Sequence, residues 1–208
     1  MNRETYKIIG ILSCSITLFI SVLYIINSFN SLEFSQSLFF LAFLKILNIS
    51  AYFFILFSAS QLIKEFSPVN IDKLTYAYLG IEVLFLLSSY LMKSLVPVSY
   101  FSAIFAILYI ALYIILATIA INILKVKKSE ININSFKVFI LSYLIILFLL
   151  NTTAWFLAKN SFTFNIEVSE INNILSKINY INIIPIFFAL FFFIKQIQSK
   201  EHINNLNS

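Results

Sequence analysis

Six long apolar stretches, separated by short polar segments, dominate the pattern of hydrophobic and polar positions along this chain. Their approximate limits are 6–26, 38–62, 74–92, 98–124, 138–158 and 181–197. An α-helix needs about 20 apolar residues to cross the hydrocarbon core of a bilayer. The pattern therefore predicts an all-α, polytopic membrane protein with a bundle of six transmembrane helices. The connections are too short for another folded unit, so residues 1–208 are predicted to form a single membrane domain.

The segment 167–180, between the last two apolar stretches, has a different pattern. Ile171, Ile174, Leu175 and Ile178 recur at helical spacing with Asn and Lys residues between them. This pattern predicts a short amphipathic helix on the outer membrane surface or over the mouth of the bundle. The alternative is an extension of the sixth helix. Pro185 lies inside the last apolar stretch and predicts either a kink or a later helix start.

The composition indicates that lipid covers most of the surface. Hydrophobic residues make up 61% of the sequence and charged residues 11%, whereas soluble domains usually carry about 25% charged residues. The net charge of +5 comes from basic residues that flank the apolar stretches, with a single Arg among them. This arrangement is typical of a membrane topology signal and argues against nucleic acid as a partner.

Lysine and arginine residues are concentrated in alternate gaps between the apolar stretches. Ten lie at the N-terminus, in the second and fourth gaps and in the C-terminal tail, whereas three lie in the gaps on the opposite side. Positively charged connections usually stay on the cytoplasmic side of a membrane. The distribution therefore predicts a multi-pass protein of the cell membrane with both termini in the cytoplasm.

Small and polar residues at three-to-four spacing mark the helix faces that we expect to pack together, because lipid gives apolar faces no reason to associate. Every stretch contains such residues. Examples are Gly10 and Cys14 in the first, Tyr52 in the second, Tyr78 in the third, Ala106, Tyr109 and Tyr113 in the fourth, Asn151 with Trp155 in the fifth, and Pro185 and Ala189 in the sixth.

Two charged residues, Lys45 and Glu82, lie well inside apolar stretches. Placing an ionised side chain at bilayer depth costs about 3 kcal/mol on insertion scales. An ion pair between them would offset that cost. However, helical side chains lean toward their own N-termini, so Lys45 and Glu82 would lean apart on antiparallel helices. Lys45 could instead reach the outer interface, and Glu82 could be protonated beside Asn48, Tyr52 or Tyr109.

Five residues are the candidate lining of a solute-binding pocket in the outer half of the bundle, because ionisable groups inside a membrane are often functional. The alternative is a structural role in holding the helices in register. The five are Lys45, Asn48, Glu82, Tyr109 and Asn151.

Several kinds of active site are excluded by the residues that the chain lacks. His202 is the only histidine, Asp72 the only aspartate and Cys14 the only cysteine, and there are two glycines. The sequence therefore cannot supply a histidine-rich zinc site, a pair of haem ligands, a Ser–His dyad or a pair of catalytic aspartates. It also lacks a CxxC pair and a glycine-rich phosphate loop. We therefore expect a protein that is not an enzyme, without cofactor or metal.

Two functional classes fit these expectations. The first is a small solute-binding transport protein or transporter subunit, which could work with a separate energising subunit. Six spans without an ATP site resemble, in size and topology only, the membrane-embedded substrate-binding subunits of energy-coupling transporters. The second is a non-transporting assembly, sensory or stress-associated protein that packs against another membrane protein.

Overall fold

The structure, a computed structural model, describes residues 2–30, 38–64, 71–91, 98–126, 133–164 and 180–206. These residues form six α-helices and no strands, which confirms the all-α prediction. A 3-10 turn at Tyr180–Asn182 precedes the last helix. The helices are α1 (Arg3–Asn30), α2 (Leu38–Lys64), α3 (Asp72–Leu91), α4 (Val98–Lys125), α5 (Asn134–Phe164) and α6 (Ile183–Leu206).

Among the described residues, four helices are long and apolar enough to cross a membrane. The segments lie in α1, α2, α4 and α5, and their limits are Arg3–Ile26, Ala42–Lys64, Ala103–Lys125 and Asn134–Leu157. A shorter apolar segment, Tyr180–Gln196, includes most of the apolar part of α6. Large apolar side chains such as Phe19, Ile107 and Ile114 are more than 60% exposed. Such a surface is suited to lipid and supports a membrane protein.

The helix limits extend the prediction from the apolar pattern. Both α1 and α5 continue beyond their predicted apolar stretches at each end. Pro185 lies in the first turn of α6, after the 3-10 turn, where its missing N–H would have no partner within the helix. The later helix start is therefore the correct alternative there. The predicted amphipathic segment 167–180 lies outside the described residues, except for Tyr180.

The six helices form a closed ring. Each helix packs against its neighbours in the sequence, and α6 packs against both α5 and α1. Aromatic side chains fill the centre of this ring. Tyr52 of α2 stacks on Tyr143 of α5 with ring centroids 4.9 Å apart, although these two helices lie on opposite sides of the ring. Phe136 of α5 packs against Phe192 of α6 at 5.0 Å.

The α1–α6 contact includes Gly10. A Cβ atom added at this position would collide with the ring of Phe193. Phe193 is fully buried and packs edge-on against Phe192 at 5.1 Å. The absence of a side chain at Gly10 therefore leaves room for the Phe193 ring between these two helices. The other glycine, Gly80 on α3, has open space around it.

Polar side chains join the ends of helices where α2 meets α3. The carboxylate of Asp72 accepts hydrogen bonds from Ser60 Oγ at 2.8 Å, Gln61 Nε2 at 2.9 Å and Lys64 Nζ at 2.9 Å. Partial burial pushes the pKa of Asp72 upward, but the bonds from Lys64, Ser60 and Gln61 outweigh it and hold this pKa below its usual value. Asp72 therefore ties the start of α3 to the last turn of α2.

The same end of the bundle contains two further ties. Lys137 of α5 donates to the carbonyl oxygens of Leu124 at 3.1 Å and Val126 at 2.8 Å, which satisfies carbonyls at the C-terminal end of α4. Arg3 of α1 donates to Gln196 of α6 at 3.5 Å. The helix ends on this side are therefore held by polar contacts between neighbouring helices.

Removing the Asp72 side chain is expected to destabilise the protein. The change Asp72→Ala should lower the free energy of unfolding by about 1–3 kcal/mol, because Ser60 and Gln61 lose their buried acceptor. Asp72→Asn keeps an acceptor oxygen and should cost less. Lys64→Ala should have a smaller effect still, because the Lys64 side chain is 54% exposed. Unfolding of the purified protein in mixed detergent micelles measures all three.

The contribution of Asp72 should also depend on pH. Its folded-state pKa lies below the unfolded value. The stabilisation is therefore present above the ordinary aspartate pKa of about 3.9 and is lost as the pH falls through the lower folded-state value. Asp72→Asn should remove this acid-dependent loss. An unchanged acid dependence in that variant would show that another carboxylate is responsible.

Candidate functional site

Glu82 is the centre of a polar cluster inside the ring. It lies on α3 between Tyr78, one turn earlier, and Phe85, one turn later, so these side chains share one helix face. The Tyr78 hydroxyl interacts with the Glu82 carboxyl group. The same hydroxyl lies 3.4 Å from the Tyr143 hydroxyl on α5. A line of polar groups thus runs from Glu82 through Tyr78 to Tyr143.

Aromatic rings surround this carboxyl group on both sides along α3. On the N-terminal side, Tyr78 and Tyr143 are 1% and 7% exposed, and Tyr52 stacks on Tyr143. On the C-terminal side, Phe85 packs against Tyr109 of α4 with centroids 4.6 Å apart and planes inclined by 54°. Tyr52 of α2, Tyr109 of α4 and Tyr143 of α5 therefore pack around the α3 face that carries Glu82. Four helices therefore contribute to one site.

The members of this cluster differ in burial. Glu82 and Tyr109 are only partly buried, whereas Phe85 is 6% exposed. The carboxyl-bearing residue and the α4 tyrosine therefore keep some surface outside the packed aromatic rings.

Lys45 lies on α2, which packs against α3, and its side chain is exposed. The ion pairs of the described residues include Lys7–Glu4 at 3.1 Å and Lys64–Asp72 at 2.9 Å, but none joins Lys45 to Glu82. This agrees with the helix geometry, which makes the Lys45 and Glu82 side chains lean apart.

Asn151 acts chiefly as a tie between α4 and α5. Its amide nitrogen donates to the Tyr113 hydroxyl at 2.8 Å and to the Leu147 carbonyl at 3.1 Å. Tyr113 in turn donates to the same carbonyl at 2.9 Å. The Tyr113 hydroxyl and the Asn151 amide nitrogen are therefore both hydrogen-bonded. These bonds hold α5 against α4, the helix that carries Tyr109.

The structure thus brings together part of the predicted set. Glu82 and Tyr109 lie in one cluster, with Lys45 acting from outside it. Asn151 bonds to Tyr113, which lies one turn after Tyr109 on α4. Asn48 lies one turn before Tyr52 and is partly buried. Among the described residues, no hydrogen bond joins Asn48 to Glu82.

Tyr143 is the functional candidate that the sequence pattern did not reveal. It lies in an apolar stretch of α5 with no charged neighbour, and tyrosine is common in packed helices as well as at sites. The sequence feature that could have indicated Tyr143 is its spacing of about two helical turns from Asn151, on the same face of α5. Tyr78 had a clearer signal, since it precedes Glu82 by one turn.

The cluster offers a single carboxyl group and several hydroxyls. Among the described residues, no group of three or more potential metal ligands occurs. The chemistry that these side chains provide is charge pairing, hydrogen bonding and contact with aromatic faces.

Comparison with known proteins does not assign a family. No family model matches the chain, and no curated protein or solved structure is significantly similar to it. The functional argument therefore rests on the residues of this chain.

Proposed function

We propose that this chain is a multi-pass protein of the cell membrane with six spans and both termini in the cytoplasm. The support is the positive-inside distribution of Lys and Arg, together with the closed ring in which α3 and α6 pack beside four helices of spanning length. In the ring, α3 lies between α2 and α4, and α6 lies between α5 and α1. This placement supports the proposal that both helices cross the membrane with their neighbours.

A labelling experiment tests this topology. Cysteines introduced at Lys73 and Lys159, both exposed, should differ in their reaction with an impermeant maleimide on intact cells. Lys159→Cys should react, whereas Lys73→Cys should react only after permeabilisation. The native Cys14 is fully buried and should give little background. The reverse pattern, or equal labelling of both, would contradict the proposed orientation.

We propose further that the protein is a small transport protein or transporter subunit, without catalytic activity, that binds a small solute between α2, α3, α4 and α5. The observation that carries this proposal is the half-buried Glu82 carboxyl group inside a ring of apolar helices, surrounded by tyrosines from three other helices. A carboxyl group at this depth is costly, and a bound solute gives it a purpose. A separate energising subunit would be the expected partner, because the chain has no nucleotide-binding loop.

A ligand screen on the purified protein tests the transport proposal. A solute at one hundred times its dissociation constant should raise the free energy of unfolding by about 2.7 kcal/mol. Glu82→Gln should abolish this increase. Glu4→Gln, which removes a carboxylate at the far end of the bundle, should leave it intact. An increase that survives in Glu82→Gln would place the solute elsewhere.

The second candidate is a non-transporting protein that supports or senses another membrane protein. The stacking of Tyr52 on Tyr143 across the centre of the ring favours it, because a filled centre is suited to a rigid scaffold. In that case Glu82→Gln should lower the stability of the solute-free protein, and no solute in the screen should raise it.

A further inference from the structure

We propose that the solute is a small organic cation, such as a primary or quaternary ammonium compound, held by Glu82 between the Tyr78–Tyr143 and Phe85–Tyr109 pairs. This inference rests on the proposed transport function and names the substrate class of the same site.

The charge of Glu82 favours a cation as the solute. Glu82 is the only acidic residue in the middle of an apolar stretch, since the other eight lie near the ends of stretches or between them. A cation that enters a region of low dielectric constant needs a nearby opposite charge to offset its loss of water. A neutral solute would gain only hydrogen bonds from the carboxylate, and an anion would be repelled by it.

Aromatic side chains beside the carboxyl group also favour a cation. The face of an aromatic ring carries partial negative charge, and rings grouped into a cage bind ammonium groups. Here Tyr78 and Phe85 lie one turn before and one turn after Glu82 on the same face. The Phe85 ring packs against the Tyr109 ring, and the Tyr78 hydroxyl lies 3.4 Å from the Tyr143 hydroxyl. The carboxyl group thus lies between aromatic residues on the same helix face.

Lys45 bears on the charge of the solute as well. Its side chain is exposed on α2, the helix that packs beside α3. It therefore places a positive charge on a helix next to the one that carries Glu82. Because Lys45 has the same sign of charge as the proposed solute, it should weaken binding by repulsion. Removing the Lys45 charge should therefore strengthen the binding of a cation. An anion-binding site or a purely structural site would not show this increase.

Binding of choline to the full-length protein in lipid nanodiscs tests the proposal, with acetate and glucose as anionic and neutral comparison solutes. We expect saturable choline binding to the wild type. Glu82→Gln should weaken it at least about tenfold, and Lys45→Gln should strengthen it about threefold or more. Lys73→Gln removes an exposed lysine at the start of α3 and should leave the affinity unchanged.

Variants of Tyr109 separate the ring from the hydroxyl group. Tyr109→Phe keeps the aromatic face and should retain choline affinity within about twofold, whereas Tyr109→Leu removes the face and should weaken binding about fivefold. If Glu82→Gln fails to fold, the other two variants test the proposal: Lys45→Gln should strengthen choline binding and Tyr109→Leu should weaken it. Unchanged affinity in both would overturn the cation site.

The outcomes also separate this inference from the function on which it rests. Glu82-dependent binding of acetate or glucose, without binding of choline, would overturn the cation inference and leave a transport role standing. The absence of binding by choline, acetate, glucose and the wider solute screen would overturn both.

Discussion

Replacing Tyr143 with alanine is expected to lower the free energy of unfolding by about 3–5 kcal/mol. Tyr143 is 7% exposed, and its ring stacks on Tyr52 at 4.9 Å and on Phe139 at 6.1 Å. Its removal would open a cavity where α2, α3 and α5 meet and would leave the Tyr78 hydroxyl without this partner. Equilibrium unfolding in mixed detergent micelles measures the effect.

Two further variants identify the source of this loss. Tyr143→Phe keeps the ring and removes the contact with Tyr78, so it should cost only about 0.5–1.5 kcal/mol. Phe148→Ala removes a ring of similar size from the same helix, but Phe148 is 57% exposed. It should cost less than about 1 kcal/mol, because lipid replaces the lost contacts. Similar losses of stability for Tyr143→Ala and Phe148→Ala would contradict the packing of Tyr143 in the centre of the helix ring.

The helices of this protein could be predicted from the sequence because a membrane imposes a simple rule. Every backbone N–H and C=O group in the hydrocarbon must be bonded within its own segment, so a long apolar stretch has to be a helix. That rule predicted all six helices, although α5 and α6 continue to Phe164 and Leu206, beyond their predicted apolar stretches. The helix ends were harder to predict. At Pro185 the sequence allowed either a kink or a later helix start, and the structure has the later start, directly after the 3-10 turn.

The packing faces were harder to predict, because lipid-facing and protein-facing positions are both apolar. Gly10, Cys14, Tyr78 and Ala189 lie in helix contacts as expected. Ala106 and Trp155 were also expected to pack, and both predictions are wrong, since both residues are exposed. A small residue permits close approach without requiring it, and tryptophan also suits the membrane interface.

The candidate site shows the same limit. Glu82 was recognisable because a charge inside a membrane is costly, and Tyr109 because it follows the polar face of α4. Tyr143 was missed, since its role depends on the closure of the ring that brings α5 opposite α2. No periodicity within a single helix contains that information. The partnership of Asn151 with Tyr113 likewise appears only when α4 and α5 are placed side by side.

The second large effect is expected at Gly10. Gly10→Leu should lower the free energy of unfolding by about 1–3 kcal/mol or more, because the new side chain collides with the buried ring of Phe193 and has to force α1 away from α6. Gly80→Leu is the matched control. Gly80 is exposed on α3 with open space around it, so the same change should have little effect on stability.

A double substitution tests whether the collision with Phe193 is the cause. Phe193→Ala alone should be destabilising because it leaves a cavity between α1 and α6. Combined with Gly10→Leu, it provides the volume that the leucine needs, so the double variant should be more stable than the sum of the single losses predicts. The expected coupling is about 1–3 kcal/mol. Strictly additive losses would show that Gly10 matters for a reason other than its contact with Phe193, such as the backbone geometry of α1.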